Sequence, residues 1–361
     1  MYSRKPLRRC RYGIHLSKEQ VAELVAPHPD TLELINSWLE HHGLPSSSVS
    51  TSHGGNWLTL NGVPVSRANA LLGTSYQLYQ HVETKDRVLR TLGYALPAVL
   101  HAHVQTVAPT THFGSPRMSR QTLRKNSGGA TSGELVKVPS SRGDDDDIPI
   151  TPSYLRRLYK TLGYVPAATG RNVLGIAGFF GHYPTQDDLT TFMKKYRTDG
   201  ADATATFVKI GGGNLPDGPN KEANLDIQYT EALTYPTTHV FYSLSGDDVE
   251  ESFLEWLDYM LGQVNVPQTI STSYGGEERD FSEDFTKAVC DLFAQLGARG
   301  ASVVVSSGDD GVGAGDCIVD DGSGRVQFLP TFPSSCTCGV FPPLVNSTQA
   351  QVQDAHHAAV L

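Results

Sequence analysis

From Tyr154 onward, apolar and polar positions switch regularly between two periods. Short runs rich in β-branched residues (Val173 to Phe179, Thr206 to Ile210, Val240 to Leu244, Thr269 to Ser273, Ser302 to Ser306) alternate with stretches of helical period. Those stretches run from Gln186 to Tyr196, Glu222 to Leu233, Asp248 to Gly262 and Glu283 to Leu296. Strand and helix in strict alternation predict an α/β unit, a parallel sheet with helices on both faces. In such a sheet a ligand site is expected at the carboxyl ends of the strands.

The first hundred residues follow a different pattern. Ser17-Lys18-Glu19-Gln20 reads as a capping box opening a helix through Val25, and Asp30 with Glu33 opens a second through Trp38 to His41. A helix from Arg67 to Leu72 and β-rich pieces at Trp57 to Leu60 and Ala102 to Val107 complete a compact α+β domain over 1–113. Residues 114–150 are Ser, Gly, Lys and Arg ending in the acidic run Asp144 to Asp147, a linker with almost nothing to build a core. The α/β unit then occupies 151–336, and 337–361 form an atypical tail.

A length of 361 residues suits two units of this size. A formal net charge of -9 with no long basic stripe argues against nucleic acid and anionic membrane as partners. No run reaches the ~18 apolar residues that would span a bilayer. The basic opening Met1 to Arg11 is followed by no apolar region and no small-residue cleavage site, so no signal peptide is visible. The five cysteines form no metal-binding pattern; a bridge among Cys290, Cys317, Cys336 and Cys338 is one reading and reduced thiols another.

Two constellations could carry chemistry. Glu222 and Asp226 sit four apart on a helix, which brings both carboxylates to one face. Two carboxylates that close resist ionising together and can relay a proton. Spacing alone favours a solvated face, but Gly211-Gly212-Gly213 just upstream and the interleaved Leu225, Ile227 and Tyr229 leave little room for one. The second is Val303 to Gly311, a buried-type strand entering a glycine-rich turn that sets Asp309 at a strand's carboxyl end. Asp309 could bind a cation, cap the next segment or, if protonated, donate a hydrogen bond to an oxyanion.

Glu222 to Tyr229, Ile270 to Gly275 and Ser307 to Gly311 resemble three signature blocks of the sedolisins, or serine-carboxyl peptidases, especially their fungal tripeptidyl-peptidase branch. Tyr12 to Ser17, Trp57 to Leu60, Leu71 to Tyr79 and Pro97 to Phe113 are similar to that family's activation prodomain. The resemblance covers roughly 12–113 and 151–335. It implies a subtilisin-like sheet, made as a proenzyme, in which Glu222 is the general base for a serine. Asp226 would orient Glu222 and share its protons, and Asp309 would stabilise the oxyanion. By the same resemblance Ser273, Tyr274 and Gly275 line the substrate cleft, although a packed strand end explains them equally well from sequence. A glutamate base suits acid conditions, because near its ordinary pKa it alternates as base and acid. The resemblance further implies polypeptide substrates, a prodomain set against its own cleft, a secreted monomer, calcium in the complete domain and processing within 114–148.

The pattern departs from the family at one place. No Gly-Thr-Ser-Ala-type motif follows Asp309, and Gly73-Thr74-Ser75, which precedes Glu222 and continues into Tyr76, reads as a structural turn. Similarity stops abruptly after Cys336, as a frameshift, unspliced intron or misplaced exon boundary would produce, and the expected calcium site goes with it. The chain by itself is therefore expected to be inactive and prone to aggregate at its last strand. A catalytically dead member acting as a binding or inhibitory module is the alternative. A dinucleotide-binding enzyme is disfavoured because Gly175 to Gly181 has the spacing G-x-x-G-x-x-G, not the fingerprint. A Ser-His-Asp subtilisin is disfavoured because none of the 13 histidines lies in a His-Gly-Thr-type context.

Overall fold

The computed structural model describes residues 13–80, 82, 85, 87–113, 150–211, 219–246, 248–306, 308, 323–327 and 330–337. The first unit opens with α1 (Lys18–Val25), capped by the reciprocal Ser17 and Gln20 box, and α2 (Pro29–His41), with Pro29 at its first position. It continues through β1 (Val49–Thr51), β2 (Leu58–Leu60), α3 (Val65–Leu71), β3 (Gln77–Gln80) and β4 (Arg87–Arg90). The strands form two separate antiparallel pairs, Val49 opposite Leu60 and Gln77 opposite Arg90 at their ends. Leu39, Leu44, Leu71 and Leu72 are its buried centre.

Two expectations need correction here. Ala102 to Val107 is not a strand: a 3₁₀ turn over Ala98–Leu100 and an extended loop occupy this region. Val107 packs on the small core without a partner strand, so its apolar character reflects burial alone. The β3–β4 hairpin was not expected either, because its outward Leu78 and Leu89 blur the alternation that announces a strand. Gly73-Thr74-Ser75 is a turn closing α3, with Gly73 at φ +55 and the Thr74 N–H bonded to the Asn69 carbonyl at 3.0 Å.

The second unit follows the expected alternation closely. After α4 (Pro152–Leu158) come β5 (Val173–Gly178), α5 (Gln186–Tyr196), β6 (Thr206–Ile210), α6 (Lys221–Thr234) and β7 (Thr238–Leu244). Then follow α7 (Val249–Gly262), β8 (Thr269–Thr272), β9 (Gly276–Glu277), α8 (Glu283–Ala298), β10 (Ser302–Val305) and β11 (Thr331–Phe332). Five strands form one sheet in the order β10-β8-β5-β7-β6, and every pairing in it is parallel. Leu174, Ile176 and Phe241 pack with Leu189 and Met193 of α5 and Ala223 and Ile227 of α6. The alternate positions Ala177, Tyr242, Leu244, Ile270, Val303 and Val305 face α7 and α8, whose Phe253, Trp256, Phe285 and Val289 build the larger core. Both faces are thus covered, as a parallel sheet requires. Among the described residues β10 is an edge strand.

The run through Cys336 belongs to this fold. Phe332 is buried, β11 pairs with β9, and Cys336 is bridged to Cys290 of α8. Residues of the first unit dock on the second. The Leu16 N–H donates to the Ala298 carbonyl at 2.9 Å, Arg90 pairs with Asp248 at the start of α7, and the His112 ring stacks on Phe281 at 4.7 Å. The linker expected at 114–150 falls outside the described residues up to 149, and so does the tail beyond 337.

Candidate active site

Helix α6 runs opposite to the strands it covers, so its amino terminus lies at their carboxyl ends. Asn220 fixes that terminus: its side-chain oxygen accepts from the N–H groups of Glu222 at 2.8 Å and Ala223 at 3.4 Å. Glu222 therefore stands in the first turn, where the helix dipole favours a negative charge. Asp226 follows one turn later on the same face. The spacing seen in the sequence falls on a helix, which sets Glu222 and Asp226 one turn apart on α6.

Two loops complete the site. The one after β8 carries Ser273, whose hydroxyl donates to Asp226 Oδ1 at 3.2 Å. It also carries Tyr274, which is 2% exposed and wedged against Phe179. Burial, and the negative charges of Glu222 and then Asp226, push the Tyr274 phenol well above its usual value, so it remains a neutral hydroxyl. Gly275 follows because nothing larger fits: a Cβ there would lie 2.5 Å from the Phe332 carbonyl oxygen.

The loop after β5 supplies a residue that sequence reasoning missed. Phe180 and Gly181 both adopt left-handed backbone, φ +57 and +69, which turns the chain back over the end of the sheet. The turn is held by the Gly181 N–H to the Leu244 carbonyl at 2.6 Å and the His182 N–H to the Phe179 carbonyl at 3.0 Å. His182 is thereby aimed at Glu222. Its Nδ1 lies 2.7 Å from the Tyr274 hydroxyl and 3.8 Å from Glu222 Oε2. The only hint in the sequence was the glycine-rich close of a buried strand; the contact itself spans 40 residues. The same stretch, Gly175 to Gly181, is strand and turn and not a phosphate-binding loop.

Asp309, the third acid singled out in the sequence, falls outside the described residues. The described group is thus two acids, Glu222 and Asp226, with Ser273 bonded to Asp226 and with Tyr274 and His182 beside Glu222. Such a set can accept, share and return a proton, the function of a general acid–base pair. Among the described residues no group of three or more His, Cys, Asp or Glu side chains could hold a metal ion. No helix among the described residues is long and apolar enough to cross a membrane.

Comparison with known proteins adds independent information. Residues 8–113 match the pro-kumamolisin activation domain. A probable tripeptidyl-peptidase SED3 of Arthroderma benhamiae is 35% identical over 345 residues, covering 90% of this chain and 56% of the relative. Tripeptidyl-peptidases SED3 and SED2 of Arthroderma otae are 34% and 33% identical with nearly the same coverage. The chain spans a little over half the length of the curated relatives it matches. Among solved structures, Pseudomonas sedolisin, a serine-carboxyl proteinase complexed with two molecules of pseudo-iodotyrostatin, is 23% identical with a TM-score of 0.41, covering 53% of this chain and 52% of that one.

Proposed function

The chain is a relative of the tripeptidyl-peptidases of the sedolisin family, and from that premise we propose that it carries the acid–base half of a serine-type acid peptidase made as a proenzyme. The observation that supports the reading is the placing of Glu222 and Asp226 one turn apart on α6, whose amino end lies at the carboxyl end of the parallel sheet, with Ser273 bonded to Asp226. In the proposed reaction Glu222 takes the proton of a serine hydroxyl as its oxygen attacks the peptide carbonyl. Glu222 then returns the proton to the leaving amine. Asp226 shares protons with Glu222, and Asp309 donates to the oxyanion from a protonated carboxyl. Ser273, Tyr274 and Gly275 border the substrate.

Peptides bearing a free amino terminus are the proposed substrates, released in tripeptides, by analogy with the names of the relatives. Residues 1–113 act as the activation domain and 114–150 as the region processed to release it. The Cys290–Cys336 bridge supports a secreted protein, since such bridges persist in oxidising compartments. The serine itself is not among these 361 residues in the family's motif downstream of Asp309.

The test extends the chain after Cys336 with the corresponding C-terminal part of the Arthroderma otae SED3 tripeptidyl-peptidase and assays peptides at acid pH by mass spectrometry. Tripeptides are expected from substrates with a free amino terminus and none from the same peptides blocked by acetylation. The 361-residue chain alone is expected to release none. Cleavage in the middle of blocked peptides would overturn the tripeptidyl reading, and no cleavage of any peptide by a folded fusion would overturn the peptidase reading.

A further inference from the structure

His182 belongs to no role assigned so far. It is nearly enclosed, with side-chain exposure of 11% against 16% for Glu222, and it reaches the site from a strand that carries neither acid. Facing it are Glu222 and, from the loop after β8, the Tyr274 hydroxyl, while Asp226 lies one turn further along α6 and accepts from Ser273. Asp188 of α5 is occupied elsewhere, accepting from the Asn224 side-chain amide and the Thr185 hydroxyl at 2.8 Å each. The backbone turn that delivers His182 includes Phe180 at positive φ, a conformation costing roughly 1 kcal/mol that packing must offset.

We propose that His182 is a positioning residue for the Glu222–Asp226 pair: its imidazole holds the Tyr274 hydroxyl and Glu222 in place and, once protonated, supplies the cation that lets the pair carry a second negative charge in acid. The chemistry follows from charge. Two carboxylates one helical turn apart hold a proton between them because a doubly charged pair is repulsive. An imidazolium beside Glu222 offsets that repulsion in the acid range, where histidine is charged. Tyr274, kept neutral by its burial, can accept from the imidazolium and donate to the neutral ring where Nδ1 carries no proton, and so holds the ring in register as the charge changes. A glutamine or alanine at 182 would remove this imidazolium from beside Glu222.

The inference rests on the reading of Glu222 as the working base, yet its test needs no turnover. The full 361-residue chain, labelled with ¹³C and ¹⁵N in its histidines, is titrated from acid to neutral pH by NMR. His182 is assigned through its contact with the Tyr274 ring, so no variant need fold for the first result. In the unmodified chain the His182 signals are expected to move in two steps, the lower one reporting the proton of the acid pair. Glu222→Gln should lower the proton affinity of His182 by about tenfold. His182→Gln, which can still hydrogen-bond Tyr274, should weaken the acidity of Glu222 by the same factor, because coupling is reciprocal. A single-step titration of His182 in the unmodified chain, or an affinity within twofold in Glu222→Gln, would overturn the proposal. Either result leaves the peptidase reading to its own assay, and absence of cleavage in that assay leaves these titrations untouched.

Discussion

Helix α6 carries an acid–histidine contact at each end, and the two differ instructively. At its amino end Glu222 meets His182 across 3.8 Å with side chains 16% and 11% exposed, and Tyr274 and the Asp226–Ser273 pair lie alongside. Near its carboxyl end Glu231 meets His239, the second residue of β7, with Nδ1 and Oε2 2.5 Å apart and side chains 0% and 3% exposed. The second contact has a fixed proton inventory. Thr234 gives its hydroxyl proton to the Thr230 carbonyl, so His239 Nε2 must donate to Thr234, and one further proton lies between Nδ1 and Glu231. Neither Glu231 Oε2 nor His239 Nδ1 makes another hydrogen bond among the described residues. The same residue types therefore differ by place: Glu231 and His239, sealed from water, brace the helix on the sheet, while Glu222 and His182 stand at the carboxyl ends of the strands, where the proposed base would work.

The largest expected effect comes from breaking the sealed contact. Glu231→Gln or His239→Ala should destabilise the chain by about 3–5 kcal/mol, the usual cost of stranding one member of a buried pair, measurable by denaturant unfolding. A third buried acid sharpens the contrast, because Glu250 has arginine for its charged neighbour. Burial outweighs the nearby Arg90 and lifts its pKa from the ordinary 4.5 to about 7. Between those values the folded chain holds a proton that the unfolded chain has lost, so its contribution is full below about 4.5 and disappears as pH rises past about 7. Glu250→Gln should flatten this pH dependence, up to roughly 3 kcal/mol in unfolding experiments across that window. Smaller again, Ser273→Ala should cost about 1–2 kcal/mol by removing a hydrogen bond to a carboxylate. Glu222→Gln should change stability least, within about 1 kcal/mol, since its amide keeps the size of the acid.

Much of this arrangement was legible in the sequence. The strand–helix alternation from Val173 to Val305 was clear because the strands read as short apolar runs and the helices begin at real caps, Thr185, Asp248 and Ser282. The i, i+4 spacing of Glu222 and Asp226 likewise survives folding, since helix geometry is local. His182 was not legible because its partnership depends on a left-handed turn at Phe180 and on a helix and loop far along the chain. Glu231 and His239 were missed for the same reason: an acid late in a helix and a histidine early in a strand gain meaning only when the crossover packs them together. The β3–β4 hairpin escaped because its outward face is apolar, and Ala102 to Val107 misled because it is apolar without having a pairing partner.

The most direct single measurement compares Glu222→Gln with Glu231→Gln in the chain extended beyond Cys336, determining kcat at acid pH and the unfolding midpoint of each. The expected result is a fall in kcat of roughly a thousandfold or more with stability kept for Glu222→Gln, and lost stability with kcat of the folded fraction nearly unchanged for Glu231→Gln. Equal loss of kcat in both, or full activity in Glu222→Gln, would contradict the assignment of Glu222 as the base.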